Sequence, residues 1–344
     1  MSDKGRVLEI DSSPHIRAGH SVDTIMRHVA YALLPATAFA VYVFGLVAAV
    51  TIGVAVASCV LAEYTFTRAA GRRATLGDWS VVVTGLIYGL TLPPGLPAWM
   101  VALGGFAGVG IGKFLFGGLG YNAFNPALVG RAFLQAAFPV AMTTWLVPLG
   151  DGRFWSLPSS TLALPFATPV YDAVSGATPL AAMKFAGEST ATADLVMGLT
   201  SGSTGETSAV LLLAGGLYLA ARKMLNWRIP AAILATVYLL SALFHAVAPG
   251  DYPPPGFMLF SGGLMLGALF MATDMVASPM TARGCVLYGV LIGLLVVVIR
   301  LWGGMPEGVM YAILFANAVS PHIDSLVRPR VYGTASRPGR SGSS

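Results

Sequence analysis

The chain has 344 residues, of which 56% are hydrophobic and only 10% are charged. A soluble globular protein carries about 25% charged residues, so this composition excludes a water-soluble protein and indicates a helix bundle embedded in lipid. A net charge of +5 can also indicate nucleic-acid binding. The positions of the basic residues along the chain decide whether the charge has that role or another.

Ten apolar stretches predict transmembrane helices, although several are shorter than the roughly 20 residues that a straight crossing needs. The third and eighth stretches are short and contain glycines. They take equivalent places in two groups of five, which predicts an all-α integral membrane protein of two inverted five-helix halves. Glycines that only pack helices together explain the short stretches equally well. The predicted spans are 25–44, 46–67, 79–92, 97–116, 127–149, 207–221, 229–248, 257–272, 285–302 and 307–320.

The basic residues are divided unevenly between the two sides of this bundle. With the N-terminus in the cytoplasm, 17 of the 20 Lys and Arg residues fall on the cytoplasmic side. Cytoplasmic loops carry such an excess, so we interpret the positive charge as a topological signal and expect no nucleic-acid partner. The predicted segments are 1–24 (cytoplasmic N-terminal segment), 25–149 (first half), 150–206 (external loop), 207–320 (second half) and 321–344 (cytoplasmic tail).

The external loop 150–206 is long for a connection, since loops beyond about 12–15 residues are usually functional or disordered. It contains the run Asp172-Ala-Val-Ser175-Gly176-Ala177-Thr178. A second Ser-Gly-x-Thr run at 201–204 lacks the alanine and the upstream aspartate. An ordinary turn is the alternative interpretation of the first run.

This run resembles the flavin-attachment motif of the Rnf and Na⁺-translocating NADH:quinone reductase complexes, in which FMN is joined through its phosphate to the final threonine. The resemblance implies a covalent FMN at Thr178. A flavin transferase moves the FMN half of FAD to a hydroxyl, so we expect Thr178 to be exposed. Gly176 and Ala177 leave room beside it, Ser175 completes the motif, and Asp172 either binds the transferase's metal or orients the strand.

Other segments resemble the NqrB/RnfD family, which unites one membrane protein of the quinone reductase with one of the Rnf complex. Together they extend over about 13–333, and the short polar N-terminus favours the Rnf branch, RnfD. The N-terminal match is with an amphipathic entry segment. The matching segments are 13–17, 78–86 with 92–94, 120–133 and 271–279.

The resemblance implies a component of a redox-driven ion translocase in the bacterial inner membrane, not catalytic alone, with the 150–206 loop in the periplasm. Such complexes move electrons between reduced ferredoxin and NAD⁺ and pump Na⁺ or H⁺. The chain has neither a dinucleotide-binding glycine fingerprint nor a cysteine set for an iron–sulfur cluster, so electrons must pass through partners. We predict no metal site. The implied partners are the membrane subunits A and E of the Rnf complex, its flavoprotein RnfG, its subunits B and C on the ferredoxin and NAD side, and a flavin transferase.

The resemblance also implies a second, noncovalent riboflavin near an asparagine-containing turn, whose matching positions are Asn122 and Asn125. Asparagine amides suit the edge of the flavin ring, which presents donors and acceptors. Plain capping of the fifth span by Asn125 is an equally good interpretation. One residue can serve both purposes.

Charged residues near the ends of the spans have two interpretations each. Asp78 and Asp274 terminate the two short spans, so they are candidates for an ion path. Salt bridges to Arg131 or Arg283 are the structural alternative, which we favour. For Glu63 we expect an ion pair with Arg68 on the same helix.

A flavin-free secondary transporter or channel with inverted repeats is the main alternative function. A purely structural membrane anchor is a weaker one. The acceptor motif around Thr178 separates these classes, because a transporter has no use for it in its only long external loop.

Overall fold

A computed structural model of the chain describes residues 21–71, 76–165, 176–206 and 208–328. This part of the chain consists of helices and connecting loops and contains no strand. The helices of the first half are α1 (Val22–Phe44), α2 (Leu46–Ala69), α3 (Ser80–Leu90), α4 (Ala98–Val109), α5 (Pro126–Ala137) and α6 (Pro139–Met142).

The remaining helices include two short ones within the long loop. They are α7 (Pro179–Ala181), α8 (Thr192–Met197), α9 (Ala209–Ala221), α10 (Arg228–Val247), α11 (Pro255–Phe260), α12 (Leu264–Leu266), α13 (Ala282–Trp302) and α14 (Val309–Leu326). The helices α4, α7 and α12 each continue into a π-helical turn, at Gly110–Phe114, Ala182–Ala186 and Gly267–Met271.

Among the described residues, four helices are long and apolar enough to cross a membrane, namely α1, α2, α10 and α13. Three shorter apolar helices accompany them: α3, α4 with its π-helical turn, and α9. The chain is therefore an all-helical, multi-pass membrane protein.

Two predicted spans differ in continuity from a simple crossing. The prediction of the fifth span as 127–149 is wrong at its C-terminal end, because α5 ends at Ala137 and residues 143–149 are not helical. Pro139 lacks an amide donor and disfavours a helical conformation at Phe138, whose φ of −135° is non-helical. The eighth span is interrupted between Phe260 and Leu264, as its glycines predict.

Similar packing recurs in the two halves. Helix α2 packs on α3 and α4, and α10 packs on α11 and α13. Helix α4 contacts α5, α13 contacts α14, and α1 meets α9 between the halves. The helices approach closely at small residues. At Gly85, for example, an added Cβ would lie 2.6 Å from the Cα of Val56.

The bundle has two ends, which we name by the long loop. At the loop end, this loop covers the connections at Gly45, 91–97 and 303–308: the N–H of Leu46 donates to the carbonyl of Arg153 at 2.8 Å. The far end is formed by the opposite connections, 115–125, 222–227 and 272–281. The residues singled out by the sequence are divided between these two ends.

Candidate functional site

Thr178 lies at the loop end, where it precedes α7. Its hydroxyl accepts a hydrogen bond from the N–H of Ala181 at 3.2 Å. The residue is only 7% exposed, so the expectation of an exposed acceptor is wrong. Pro179 and Leu180 are buried, and their burial turns the segment back onto the bundle. Thr178 therefore faces an internal space instead of the surrounding water.

The rest of the attachment motif is only partly described. Asp172 and Ser175 lie outside the described residues. The N–H of Gly176 donates to the carbonyl of Trp145 at 3.2 Å, and Ala177 is exposed. The small residues before Thr178 thus lie along the rim of the loop end.

Thr178 lines a cavity of about 350 Å³ at the loop end. Binding sites for small molecules have volumes of roughly 300–1,000 Å³, so this cavity is large enough for an organic cofactor. We call it the Thr178 cavity. Its apolar wall includes Met142, Trp145, Phe185 and Met310. Its charged wall is formed by Arg131, Glu206 and Glu307.

Arg131 is the one charged residue of helix α5. It is 8% exposed, and one terminal nitrogen of its guanidinium donates to the carbonyl of Thr91. Its Nε has no hydrogen-bond partner. A buried donor without an acceptor is costly. Arg131 therefore brings a permanent positive charge, with one donor unpaired, to the wall of the cavity. This arrangement suits an anionic ligand group.

Glu206 and Glu307 come from different connections and lie against the break between α11 and α12. The hydroxyl of Ser203 donates to Oε1 of Glu206 at 2.7 Å. The N–H of Gly263 donates to Oε2 of Glu307 at 3.1 Å, and Nη2 of Arg300 lies 3.3 Å from Oε1 of Glu307. Burial, together with the neighbouring Glu307, raises the pKa of Glu206 to about 7.

These charged residues are not identified as cofactor-site residues by the sequence. Arg131 stands out there only as a salt-bridge partner. The available signal is an ionisable residue in or directly beside an apolar run, which is a candidate functional residue in a membrane protein. Glu206 and Glu307 also meet this criterion, because each lies directly beside an apolar run.

The far end contains a second, smaller cavity of about 90 Å³. Asn122 and Asn125, both buried, line it together with Asp274 and Lys113. Oδ1 of Asn125 accepts the N–H of Ala127 at 3.0 Å, which confirms the capping interpretation. The amide Nδ2 of Asn125 also donates to the carbonyl of the residue at 271, at 3.3 Å. Asn125 therefore caps α5 and also lies on the wall of the cavity.

Asp78 and Asp274 also lie at the far end. Oδ1 of Asp78 accepts from the N–H and the hydroxyl of Ser80, at 2.9 and 2.6 Å. Asp274 accepts from the N–H of Val276 at 3.1 Å and from Asn122 at 3.5 Å. Burial raises the pKa of Asp274.

The favoured salt bridges of these two aspartates are wrong. Within the described residues, neither aspartate pairs with Arg131 or Arg283. Arg131 lies at the loop end, across the bundle from both carboxylates. Only Asp274 lines the far-end cavity.

The expected ion pair between Glu63 and Arg68 is also wrong. Glu63 pairs with Lys113 of the neighbouring π-helical turn, and Lys113 also donates to the hydroxyl of Ser80 at 2.8 Å. Both charged side chains are at most 6% exposed. Arg68 lies one turn further along α2 and bonds to the hydroxyl of Tyr64 instead.

Comparison with known proteins accounts for nearly the whole chain. The model of the NQR2, RnfD, RnfE family matches residues 9–333. The chain belongs to this family. The match extends through the described helices and both cavities, so these features lie within the family's common region.

Relatives share about 40% of their residues with this chain over almost their entire length. The chain is 40% identical to the D subunit of the proton-translocating ferredoxin:NAD(+) oxidoreductase complex of Clostridium ljungdahlii, over 96% of this chain and 98% of that one. It is 43% identical to the D subunit of the Na(+)-translocating ferredoxin:NAD(+) oxidoreductase complex of Acetobacterium woodii, over 95% of both chains. It is 41% identical to the D subunit of the ion-translocating oxidoreductase complex of Halorhodospira halophila, over 94% and 95%.

Proposed function

We propose that this chain is the RnfD component of an ion-translocating ferredoxin:NAD⁺ oxidoreductase, the Rnf complex, and relays electrons through FMN attached to Thr178. The names of its full-length relatives support the complex. One observation carries the proposed cofactor: the hydroxyl-bearing Thr178 and the partly unpaired cation Arg131 line the same cavity.

The residues of the Thr178 cavity fit the chemistry of an attached flavin phosphate. The hydroxyl of Thr178 supplies the ester oxygen, and the guanidinium of Arg131 would hold the remaining phosphate charge, because arginine binds phosphate well. The apolar side chains of Trp145, Phe185 and Met310 would cover the ring and exclude water. When bound, FMN supplies the capacity to accept and release electrons.

The proposed architecture is ten spans in two inverted halves, in a bacterial inner membrane. The similar packing of α2 on α3 and α4, and of α10 on α11 and α13, supports it. We place both termini in the cytoplasm and the loop end in the periplasm, since eight of the twelve Lys and Arg residues that the structure describes lie on the far-end side, and four, including Arg131, lie at the loop end. Electrons reach and leave the chain through subunits A, B, C, E and G of the complex.

A noncovalent riboflavin at the far end forms a further part of the proposal. The amide groups of Asn122 and Asn125 line that cavity and match the polar edge of a flavin ring. The cavity of about 90 Å³ is small, so binding requires the connections around it to open.

In-gel fluorescence of the denatured chain tests the flavin attachment. The wild-type chain and Thr178→Ala are each co-expressed with a flavin transferase, then denatured to remove any noncovalent flavin. We expect a fluorescent wild-type band and a dark variant band. Thr192→Ala is the matched control, because Thr192 is an exposed threonine of the same loop, and it should remain fluorescent.

A dark wild-type band, with a transferase that modifies another substrate in the same cells, would contradict the attachment. The chain would then be better described as a flavin-free transporter or channel. The interrupted helix pair α11 and α12 is the feature that favours this second candidate. Counterflow of radioactive Na⁺ in vesicles that contain the chain alone would test it.

A further inference from the structure

Two carboxylates meet at the break between α11 and α12. Gly262, in this break, has a φ of +63°, and an added Cβ there would collide with Oε2 of Glu307. Glu206 reaches the same place from the segment before α9, since an added Cβ at Gly263 would lie 3.8 Å from its Oε1. The glycines therefore make the space in which the two acids lie side by side.

The two acids belong to the wall of the Thr178 cavity. Both line it, and so does Arg131, which is only 8% exposed and whose Nε is unpartnered. A buried cation on the same wall, with one of its donors unpaired, indicates that this wall is built to meet a change of negative charge. A purely structural acid pair would have no need of it.

The charges around the pair are nearly balanced. Arg131 and Arg300 provide two positive charges, and Glu206 and Glu307 provide two negative ones when both are ionised. Burial, and after it the neighbouring carboxylate of Glu307, raise the pKa of Glu206 to about 7, while Arg131, Ser203 and Arg300 act to lower it. The titratable and charged groups that surround the pair are Arg131 of α5, Arg300 of α13, Tyr311 of α14 and Lys184 of the segment after α7.

We propose that Glu206 and Glu307 form a proton-exchanging pair that takes up one proton when an electron enters the Thr178 cavity and releases it when the electron leaves. This inference rests on the proposed function, which supplies the electron through partner subunits. The proton comes from hydronium in the water at the loop end: one O–H bond of hydronium breaks, one O–H bond forms on a carboxylate, and a water molecule is left. The reverse transfer returns the proton to water when the electron leaves, so the net charge of the cavity stays constant through the cycle.

The pair and the cavity together explain why the acids are placed here. A charge introduced into a poorly solvated site interacts strongly with ionisable neighbours. A group that titrates near neutral pH can neutralise an added negative charge by binding a proton, and it does so with the smallest change in free energy. Glu206 is held by Ser203 and Glu307 by Gly263 and Arg300. These contacts fix the position of each acid on the cavity wall.

The first experiment uses the chain without flavin, expressed in cells that lack a transferase. Infrared spectra are recorded across a pH titration, and the C=O stretching band of a protonated carboxyl group is followed. We expect a band that disappears as the pH rises through about 7 and that is missing in Glu206→Gln. Glu188→Gln is the matched control, because Glu188 is an exposed acid of the same loop, and it should leave the band unchanged.

A wild-type spectrum without such a band would overturn the inference. So would a band that Na⁺ abolishes at constant pH, since the pair would then be a cation site. If Glu206→Gln does not fold, as judged by gel filtration, Glu307→Gln serves as the second variant. Removing the neighbouring negative charge should shift the Glu206 band to lower pH.

The second experiment measures the midpoint potential of the flavin in the loaded chain at several pH values. If one proton is taken up per electron, the midpoint potential of the wild type should fall more steeply with pH than that of Glu206→Gln. The two slopes should differ by about 59 mV per pH unit, because one pH unit is a tenfold change in proton activity. Equal slopes would contradict the proposal.

The two proposals fail in different ways. A fluorescent band at Thr178 without the infrared band would overturn the proton pair and leave the proposed function intact. A dark band with the infrared band intact would overturn the attached flavin, and with it the redox role of the pair.

Discussion

The two cavities differ in how completely their polar groups are satisfied. At the far end, Lys113 pairs with Glu63 and Ser80, and the amides of Asn122 and Asn125 already have partners. At the loop end, Arg131 retains an unpaired donor and two acids lie close together. A charged ligand therefore enters the loop end with little rearrangement, whereas the far end must first break existing hydrogen bonds.

The largest effect should follow from breaking the satisfied network at the far end. Lys113→Met removes the ammonium partner of the buried Glu63 carboxylate, and breaking a buried ion pair costs about 3–5 kcal/mol of folding free energy. We expect a large fall in the thermal unfolding temperature in detergent. The double variant Lys113→Met/Glu63→Gln should recover much of the loss. A single variant as stable as the wild type would show that this ion pair does not stabilise the bundle.

The second effect is a change in the pH dependence of stability at the loop end. The pKa of Glu206 is higher in the folded chain, about 7, than its ordinary value of 4.5. The folded state therefore binds more protons than the unfolded state in this interval, and wild-type stability falls as the pH rises through it. Glu206→Gln should gain stability relative to wild type from about pH 4.5 to 7, with a constant difference above and below.

Glu188→Gln again serves as the control for this measurement, because an exposed acid should not alter the pH profile. Chemical or thermal unfolding at several pH values provides the readout. A difference between Glu206→Gln and wild type that does not vary with pH would show that the substitution acts through packing alone.

A third effect distinguishes phosphate binding from ring binding. Arg131→Met removes the guanidinium but keeps an apolar side chain of similar length. In the flavin-free chain we expect free FMN to bind roughly tenfold more weakly, because a hydrogen bond to a charged group contributes about 1.5–3 kcal/mol. Riboflavin, which lacks the phosphate, should bind the variant and wild type equally. Equal losses for both ligands would place Arg131 in a structural role.

The smallest effect concerns the attachment of the loop to the bundle. Nζ of Lys184 donates to the carbonyls of Arg300 and Met305, at 2.9 and 3.1 Å, among other acceptors at the end of α13. Lys184→Met should make chymotryptic cleavage near the exposed Phe185 several-fold faster, with the unfolding temperature of the bundle nearly unchanged. Lys223→Met, at the far end, is the matched control.

The sequence predicts best those features of the structure that depend on local composition. Continuous apolar runs place α1, α2, α10 and α13 within a few residues of their predicted spans, because helix formation there depends on local composition. The fifth span ends early because Pro139 acts on its neighbour, an effect that hydropathy does not include.

Partners that depend on tertiary packing are not predicted. Glu63 has Arg68 one turn away on its own helix, yet it pairs with Lys113, because α2 packs on α4 and its π-helical turn. Glu206 and Glu307 are far apart in the chain, and only the fold of the loop end brings them together. The motif at Thr178 indicates chemistry from a local pattern but contains no information on burial.

The burial of Thr178 has a consequence for biogenesis. A modifying enzyme has to reach the threonine hydroxyl, which in the folded chain is enclosed and already bonded to Ala181. Under the proposed function, the flavin is therefore attached while the loop is still free, and docking of Lys184 onto α13 follows. The fold then sets the order of maturation: attachment of the flavin comes before docking of the loop.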